Sequence, residues 1–358
     1  MVLPVGKTIR EHVSKSKNEK MKTLRKGSMN SSVSFLKNLL SRSGYPVEIS
    51  PNFDKRTHEK VAQFQRANFL DVDGIVGKNT WQKLMLAGYK FNWGATNYIL
   101  EDDEFMNDYT EKDTIYLHHT AGLHRPDYTI GWWENDNKPG TLNRVGTSFV
   151  IGRKSLENDD MFDGVTYRAF NEMFWAHHLG TRLKNNTLLN KKSIGIEICS
   201  LGPLQKSSEG KFYFQANSKT IEVPESEVCQ LNTPWRGYQY FQKYTDKQIK
   251  ECERLILTLA TIFDIPVKNL KYDSSWFDIS EEAQNGAPGV WTHCNVRTDK
   301  TDCFPQPEFI AMLNGLYSAY QDFELDYSEF ESMAVGAPNQ LSKEVLEHYA
   351  EDLELIEN

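Results

Sequence analysis

TIYLHHTAG, residues 114–122, sets two histidines at the end of an apolar run, with small residues behind them. Its first five residues read as a β-strand, rich in β-branched and aromatic side chains. A strand that ends in histidine delivers an imidazole to the loops at the sheet's edge, where sites are built. One histidine there is most often structural; a pair followed by small residues points to a ligand. Working outward, TSFVI (147–151) reads as a strand and SIGIEI (193–198) as a buried one. Thr245 and Gln248 form a capping box ahead of KECERLILTLATIF. In that helix Ile249, Cys252, Leu255, Ile256, Leu259 and Phe263 line one face, and Pro266 ends it. A further helix is expected over 311–320. The pattern reads as an α/β domain over residues 111–322. The polar segments 201–243 and 271–289 fit no regular element and are expected as surface insertions.

Upstream the pattern changes. Val33, Phe35, Leu36, Leu39 and Leu40 fall on one helical face, which Gly44 terminates. FDKRTHEKV (53–61) and VGKNTWQKL (76–84) form a near-repeat in which Thr57 and Thr80 precede apolar helical patterns and suit helix starts. Between them lies DVDGIVG, a glycine-containing turn. These features define a small all-α domain over residues 31–88, joined by a linker at 89–110. Residues 1–30 make a basic arm with eight Lys and Arg, and residues 323–358 an acidic tail; both ends suit assembly partners.

With 358 residues, two or three domains are expected, and 39% hydrophobic content suffices for packed cores. A net charge of −8 argues against nucleic acid as a partner. No apolar run approaches a membrane span, and the N-terminus lacks a secretory apolar core. The expectation is synthesis in the cytoplasm without a signal peptide, with delivery by another route. Five scattered cysteines do not make a disulfide framework.

THCNVRTDKTDCFP, residues 292–305, carries the remaining chemistry. His293 follows an apolar stretch, and Asp302 and Cys303 follow within ten residues. Two distant histidines plus one carboxylate or thiolate make three protein ligands. Three ligands mark a catalytic rather than a structural zinc, and no paired Cys or His at close spacing suggests a finger.

In order, YLHHTAG, GTSFVIGR, WAHHLG, SIGIE and the H…KTD segment resemble the type 2 N-acetylmuramoyl-L-alanine amidases, the zinc family that includes phage amidase lysozymes and peptidoglycan recognition proteins. The likeness spans about residues 114–313, and the helix YTDKQIKECERLILTLATIFDIP shares it. NFDKRTHEKVAQFQRAN followed by VDGIVGKNTWQKL resembles the three-helix peptidoglycan-binding domain of cell-wall hydrolases. For the α/β domain the resemblance implies a mixed central sheet flanked by helices. It also implies Zn²⁺ held by His118 and His293, with His119 a packing or orienting neighbour. For the third ligand one branch of the family uses a cysteine and the other an aspartate. Lys300 two residues before Asp302, Pro305 three after it, and Glu197 in SIGIE fit the aspartate branch, with Cys303 as the alternative. Thr147 stands where the cysteine branch has a tyrosine. Glu197 is implied as the proton-transfer residue, Lys300 as the oxyanion stabiliser, and Thr147 with His177 or His178 as substrate-facing; two alignment frames disagree over the two histidines. The implied activity is hydrolysis of the amide between N-acetylmuramic acid and L-alanine in peptidoglycan, at the bacterial wall or periplasm. A non-catalytic recognition protein would have lost a ligand, and a candidate stands at all three positions. The charged termini and the N-terminus fit a free endolysin or an enzyme carried on a phage tail or injection particle equally well.

Overall fold

The computed structural model describes residues 23–323 apart from 78, 82, 85–92, 108, 109, 111, 137–142, 217, 218 and 264. Residues 1–22 of the basic arm and 324–358 of the acidic tail, with the helix that the sequence LSKEVLEHYAEDLELI (341–356) leads one to expect, lie outside the described residues. The side chain of Phe35 does too.

The first unit is helical. Helix α1 (Ser31–Arg42) opens on Asn30, whose side chain accepts from the Val33 amide, and it buries Val33, Leu36, Leu39 and Leu40. Helix α2 (Lys55–Ala67) is capped by Asp54 rather than by Thr57. Thr57 lies three residues inside and donates both its amide and its hydroxyl to Asp54 Oδ1, at 2.8 Å each. A carboxylate at the cap also suits the positive end of the helix dipole. Residues 79–81, 83 and 84 are helical, and Trp81 and Leu84 join Phe53, Val61, Phe64 and Val76 in the core. Leu24, within the stretch read as a basic arm, is fully buried in this core and exchanges backbone hydrogen bonds with Val76.

The second unit is built on a six-stranded mixed sheet in the order β1-β4-β3-β5-β2-β11. Its strands are β1 (Ala95–Asn97), β2 (Thr114–His119), β3 (Phe149–Ile151), β4 (Thr166–Arg168), β5 (Ser193–Ile198) and β11 (Gly289–Thr292). All neighbours are parallel except β3 and β4. β1, with buried Trp93 and Leu100 on either side, comes from the segment expected to be a linker. Register and alternation put Ile115, Leu117, Phe149, Ile151, Ile194, Ile196 and Ile198 on one apolar face. Tyr116, His118, Val150, Gly195 and Glu197 share the other.

Helix α3 (Pro126–Asn135) packs on β3 and β4, and the short α4 (Asn186–Lys192) on β5. Helix α5 (Asp246–Phe263) packs on β3 and β5 and against α6 (Pro307–Asp322). The capping box forms at the start of α5: the Thr245 amide donates to Gln248 Oε1, and the Gln248 amide donates to Thr245 Oγ1, both at 3.1 Å. Ile249, Cys252, Leu255, Ile256 and Leu259 are buried as their spacing requires, while Phe263 is partly buried against the helical unit's core.

The segment 201–243, expected to be irregular, is a five-stranded antiparallel sheet in the order β8-β7-β6-β10-β9. Its strands are β6 (Pro203–Lys206), β7 (Phe212–Ala216), β8 (Lys219–Val223), β9 (Val228–Trp235) and β10 (Tyr238–Gln242). Leu201, Leu204, Phe212 and Val223 form its own small core. The segment 271–289 also packs, burying Tyr272, Phe277 and Ala283 through a 3-10 turn and one helical turn.

Candidate metal centre

The strand ends bring distant residues together. β2 and β11 run parallel, with Thr292 beside Leu117, so the next residue of each chain, His293 and His118, sits at the same edge. β5 lies on the other side of β2 and sets Glu197 beside His118 on the same face. The loop after β11 then returns Asp302. His118 Nδ1 lies 3.0 Å from His293 Nδ1 and 3.3 Å from Asp302 Oδ2, and His293 Nδ1 lies 2.9 Å from Asp302 Oδ2. All three residues are buried, and one ligand atom from each falls within 4.8 Å of the others. Cys303 is buried beside Tyr244 and is not among the residues of this cluster. Cys294 Sγ donates to the carbonyls of Lys300 and Asp302 and so belongs to the loop's support.

The hydrogen bonds around the histidines dictate their tautomers. His293 Nε2 lies 2.7 Å from the Leu179 carbonyl, so Nε2 carries the proton and Nδ1 is bare. Ser193 Oγ donates to the Leu189 carbonyl at 2.7 Å and therefore accepts from His178 Nε2, 2.8 Å away. His178 Nδ1 is then an acceptor, and it receives the proton of His118 Nε2 at 2.9 Å. That leaves His118 Nδ1 bare as well. Two unprotonated nitrogens and a carboxylate oxygen converge, which is a donor set that fits a divalent zinc.

Electrostatics agree with this arrangement. Although burial opposes it, His293 and His118 hold the Asp302 carboxyl well below its usual range. Burial, helped by His293, lowers His118 to about 4, so it stays neutral at pH 7. Burial and the Asp302 charge push Glu197 up to about 8, with Lys300 pulling the other way. Glu197 Oε2 is buried without a hydrogen-bond partner.

The remaining candidates are dispersed. His178 touches His118, whereas His177 packs edge-on against Trp175, 5.4 Å between rings. His119 faces away and meets the Tyr244 hydroxyl at 2.9 Å. Thr147 is buried; its hydroxyl donates to the Phe149 carbonyl, and its methyl packs over Gly195. A Cβ at position 195 would sit 2.6 Å from Thr147 Cγ2 and 3.3 Å from His178 Nδ1. Ser193 and Gly195 were missed in the sequence, although SIGIE contains both; the signal was a glycine inside a strand, which marks a close approach.

Comparison with known proteins gives the family of the chain. Residues 108–307 match the family model described as N-acetylmuramoyl-L-alanine amidase, and residues 29–84 match that of a peptidoglycan binding domain. The chain belongs to the N-acetylmuramoyl-L-alanine amidase family and carries an N-terminal domain of the peptidoglycan-binding type. Among solved structures, PlyL aligns at 12% identity over 62% of this chain and 96% of its own, with a TM-score of 0.33. The PlyG catalytic domain aligns at 10% identity over 68% of this chain and 99% of its own, with a TM-score of 0.34.

Proposed function

We propose that this protein is a zinc-dependent hydrolase that cuts the amide between the lactyl group of N-acetylmuramic acid and the L-alanine of the stem peptide. The observation that carries the reading is the convergence of His118 Nδ1, His293 Nδ1 and Asp302 Oδ2, with Glu197, whose buried Oε2 has no hydrogen-bond partner, beside His118 on the same face of the sheet. His118, His293 and Asp302 would hold the ion. Zinc bound there supplies Lewis acidity toward a water and toward the scissile carbonyl.

The chain's own residues do the rest. Glu197 takes a proton from the attacking water at its carboxylate and delivers it to the leaving amine of L-alanine. Burial raises its affinity for a proton, to a pKa of about 8 in the metal-free protein. A cation beside it would favour the carboxylate that accepts the water's proton, and the acid so formed hands that proton to the amine. Lys300, close enough to act on Glu197, places a positive charge where the carbonyl oxygen becomes negative. His178 and Ser193 fix the His118 tautomer. One water is consumed, and a carboxylate and a free amine are released. The helical unit binds peptidoglycan and holds the enzyme at the wall, where it acts as an endolysin or wall-opening enzyme.

Mass spectrometry of digested sacculi tests the bond assignment. Stem peptides with a free L-alanine amino group and intact glycan chains are expected. Cut sugars, or cleavage within the stem, would exclude it. Elemental analysis of the purified protein should find about one zinc per chain, as three protein ligands require.

A further inference from the structure

The five-stranded sheet is not a passive insertion. Its β9–β10 hairpin turns at Arg236, whose φ is +48°, and at Gly237. The turn aims the Arg236 guanidinium into the loop that follows His293. Nη1 lies 2.8, 2.9 and 2.6 Å from the carbonyl oxygens of Arg297, Thr298 and Lys300. Nη2 lies 3.0 Å from the Cys294 carbonyl. One planar cation thus gathers four carbonyls from seven consecutive residues. Such carbonyls would otherwise repel one another, and a fork of N–H groups satisfies them together.

A second tether lies on the far side of Asp302. Phe241 of β10 stacks on Phe304, with 4.4 Å between ring centroids and 9° between planes. Gln306 joins it, accepting from the Tyr244 amide at 2.7 Å and donating to the Tyr244 carbonyl at 3.1 Å. Asp302 is therefore bracketed by the inserted sheet, through Arg236 before it and Phe241 after it. The sheet is itself anchored to the central sheet. Arg153 and Lys154, just beyond β3, each reach Glu227 at 2.7 Å.

We infer that Arg236 is a positioning residue: the inserted sheet clamps the loop of residues 294–303 and so sets Asp302 and Lys300 for catalysis. The role rests on reading Asp302 and Lys300 as site residues. Arg236 reaches that loop only through its backbone, so it need not touch substrate.

Hydrogen exchange on the full chain prepared without metal reads the clamp directly. In Arg236→Ala, amides 294–303 should exchange about 10- to 100-fold faster, as expected for losing charge-assisted hydrogen bonds. Amides of β2 and β5 should keep their protection. Zinc retention on dialysis should weaken, and kcat on sacculi should fall with KM little changed. Arg236→Lys, which keeps the charge without the fork, should recover part of both. Lys211→Ala, on the exposed β7 side of the same sheet, should change neither. Unchanged exchange at 294–303, or loosening spread equally through β2 and β5, would overturn the clamp. If the loop loosens in Arg236→Ala while the parent protein binds no zinc, the clamp stands and the metal reading fails.

Discussion

At the scale of single residues, Asp302 and Cys303 make the sharpest test. Asp302 Oδ2 sits among the two histidine nitrogens, and Cys303 lies beside Tyr244. Asp302→Ala should therefore lose zinc and activity together, while Cys303→Ala should keep the metal and pay only a packing cost of about 1–2 kcal/mol. Zinc lost from Cys303→Ala and kept by Asp302→Ala would sink the assignment. Glu197→Gln should retain zinc and lose about 10²–10⁴-fold in rate, the range for a proton-transfer group. The same substitution has a signature in stability. Between the ordinary carboxyl value of 4.5 and about 8, the unfolded chain has released a proton that folded Glu197 keeps. Stability of the metal-free protein falls through that window as pH rises. Glu197→Gln removes the loss, so its Tm advantage over the parent should grow from pH 5 to pH 8 and vanish below about 4.5. An advantage that shrinks as pH rises would mean that Glu197 is ionised in its pocket.

At the scale of elements, what was legible follows from pattern strength. SIGIEI is strongly β-branched and buried, and its strand bounds match the sequence reading. The helix after Thr245 announced itself by its capping box and apolar stripe. The inserted sheet did not, because β9 buries only two of its eight residues and shows no clean alternation. β1 is three residues long, too short to register as a period. The same contrast holds at the site. His118, His293 and Asp302 are residue types that suggest ligands in the sequence alone, whereas Ser193, Gly195 and Arg236 stand out only by where the fold sets them. Gly195 gives this a consequence. Alanine there meets Thr147 and His178, so Gly195→Ala should cost about 1–3 kcal/mol in urea unfolding, the usual penalty of overpacking. It should also weaken zinc binding, because His178 must shift away from His118. A variant with full zinc affinity and parental stability would show that His178 has no orienting role.

At the scale of the whole molecule, the two units meet in an apolar contact. Met173 belongs to the central-sheet unit, yet its side chain is 3% exposed within the helical unit's core, and Phe263 at the end of α5 packs against that core. Peptidoglycan is an insoluble polymer, so a docking unit raises the local concentration of substrate only as far as geometry lets both units engage at once. A fixed junction selects one such geometry. Met173→Asp isolates this effect. The backbone at 173 is held independently, its amide accepted by Asn171 Oδ1 at 2.9 Å and its carbonyl bonded by the Thr110 amide at 2.9 Å. A buried unpaired carboxylate is costly enough to part the two surfaces. The variant should still pellet with sacculi, and it should hydrolyse small soluble muropeptides at the parental rate. Its digestion of intact sacculi should fall by about tenfold, the scale of a lost effective concentration. Parental digestion of sacculi would mean that the contact is incidental to action on the wall. An equal loss on the soluble substrate would mean that the substitution has reached the candidate metal centre through the chain that runs on to His178, which touches His118.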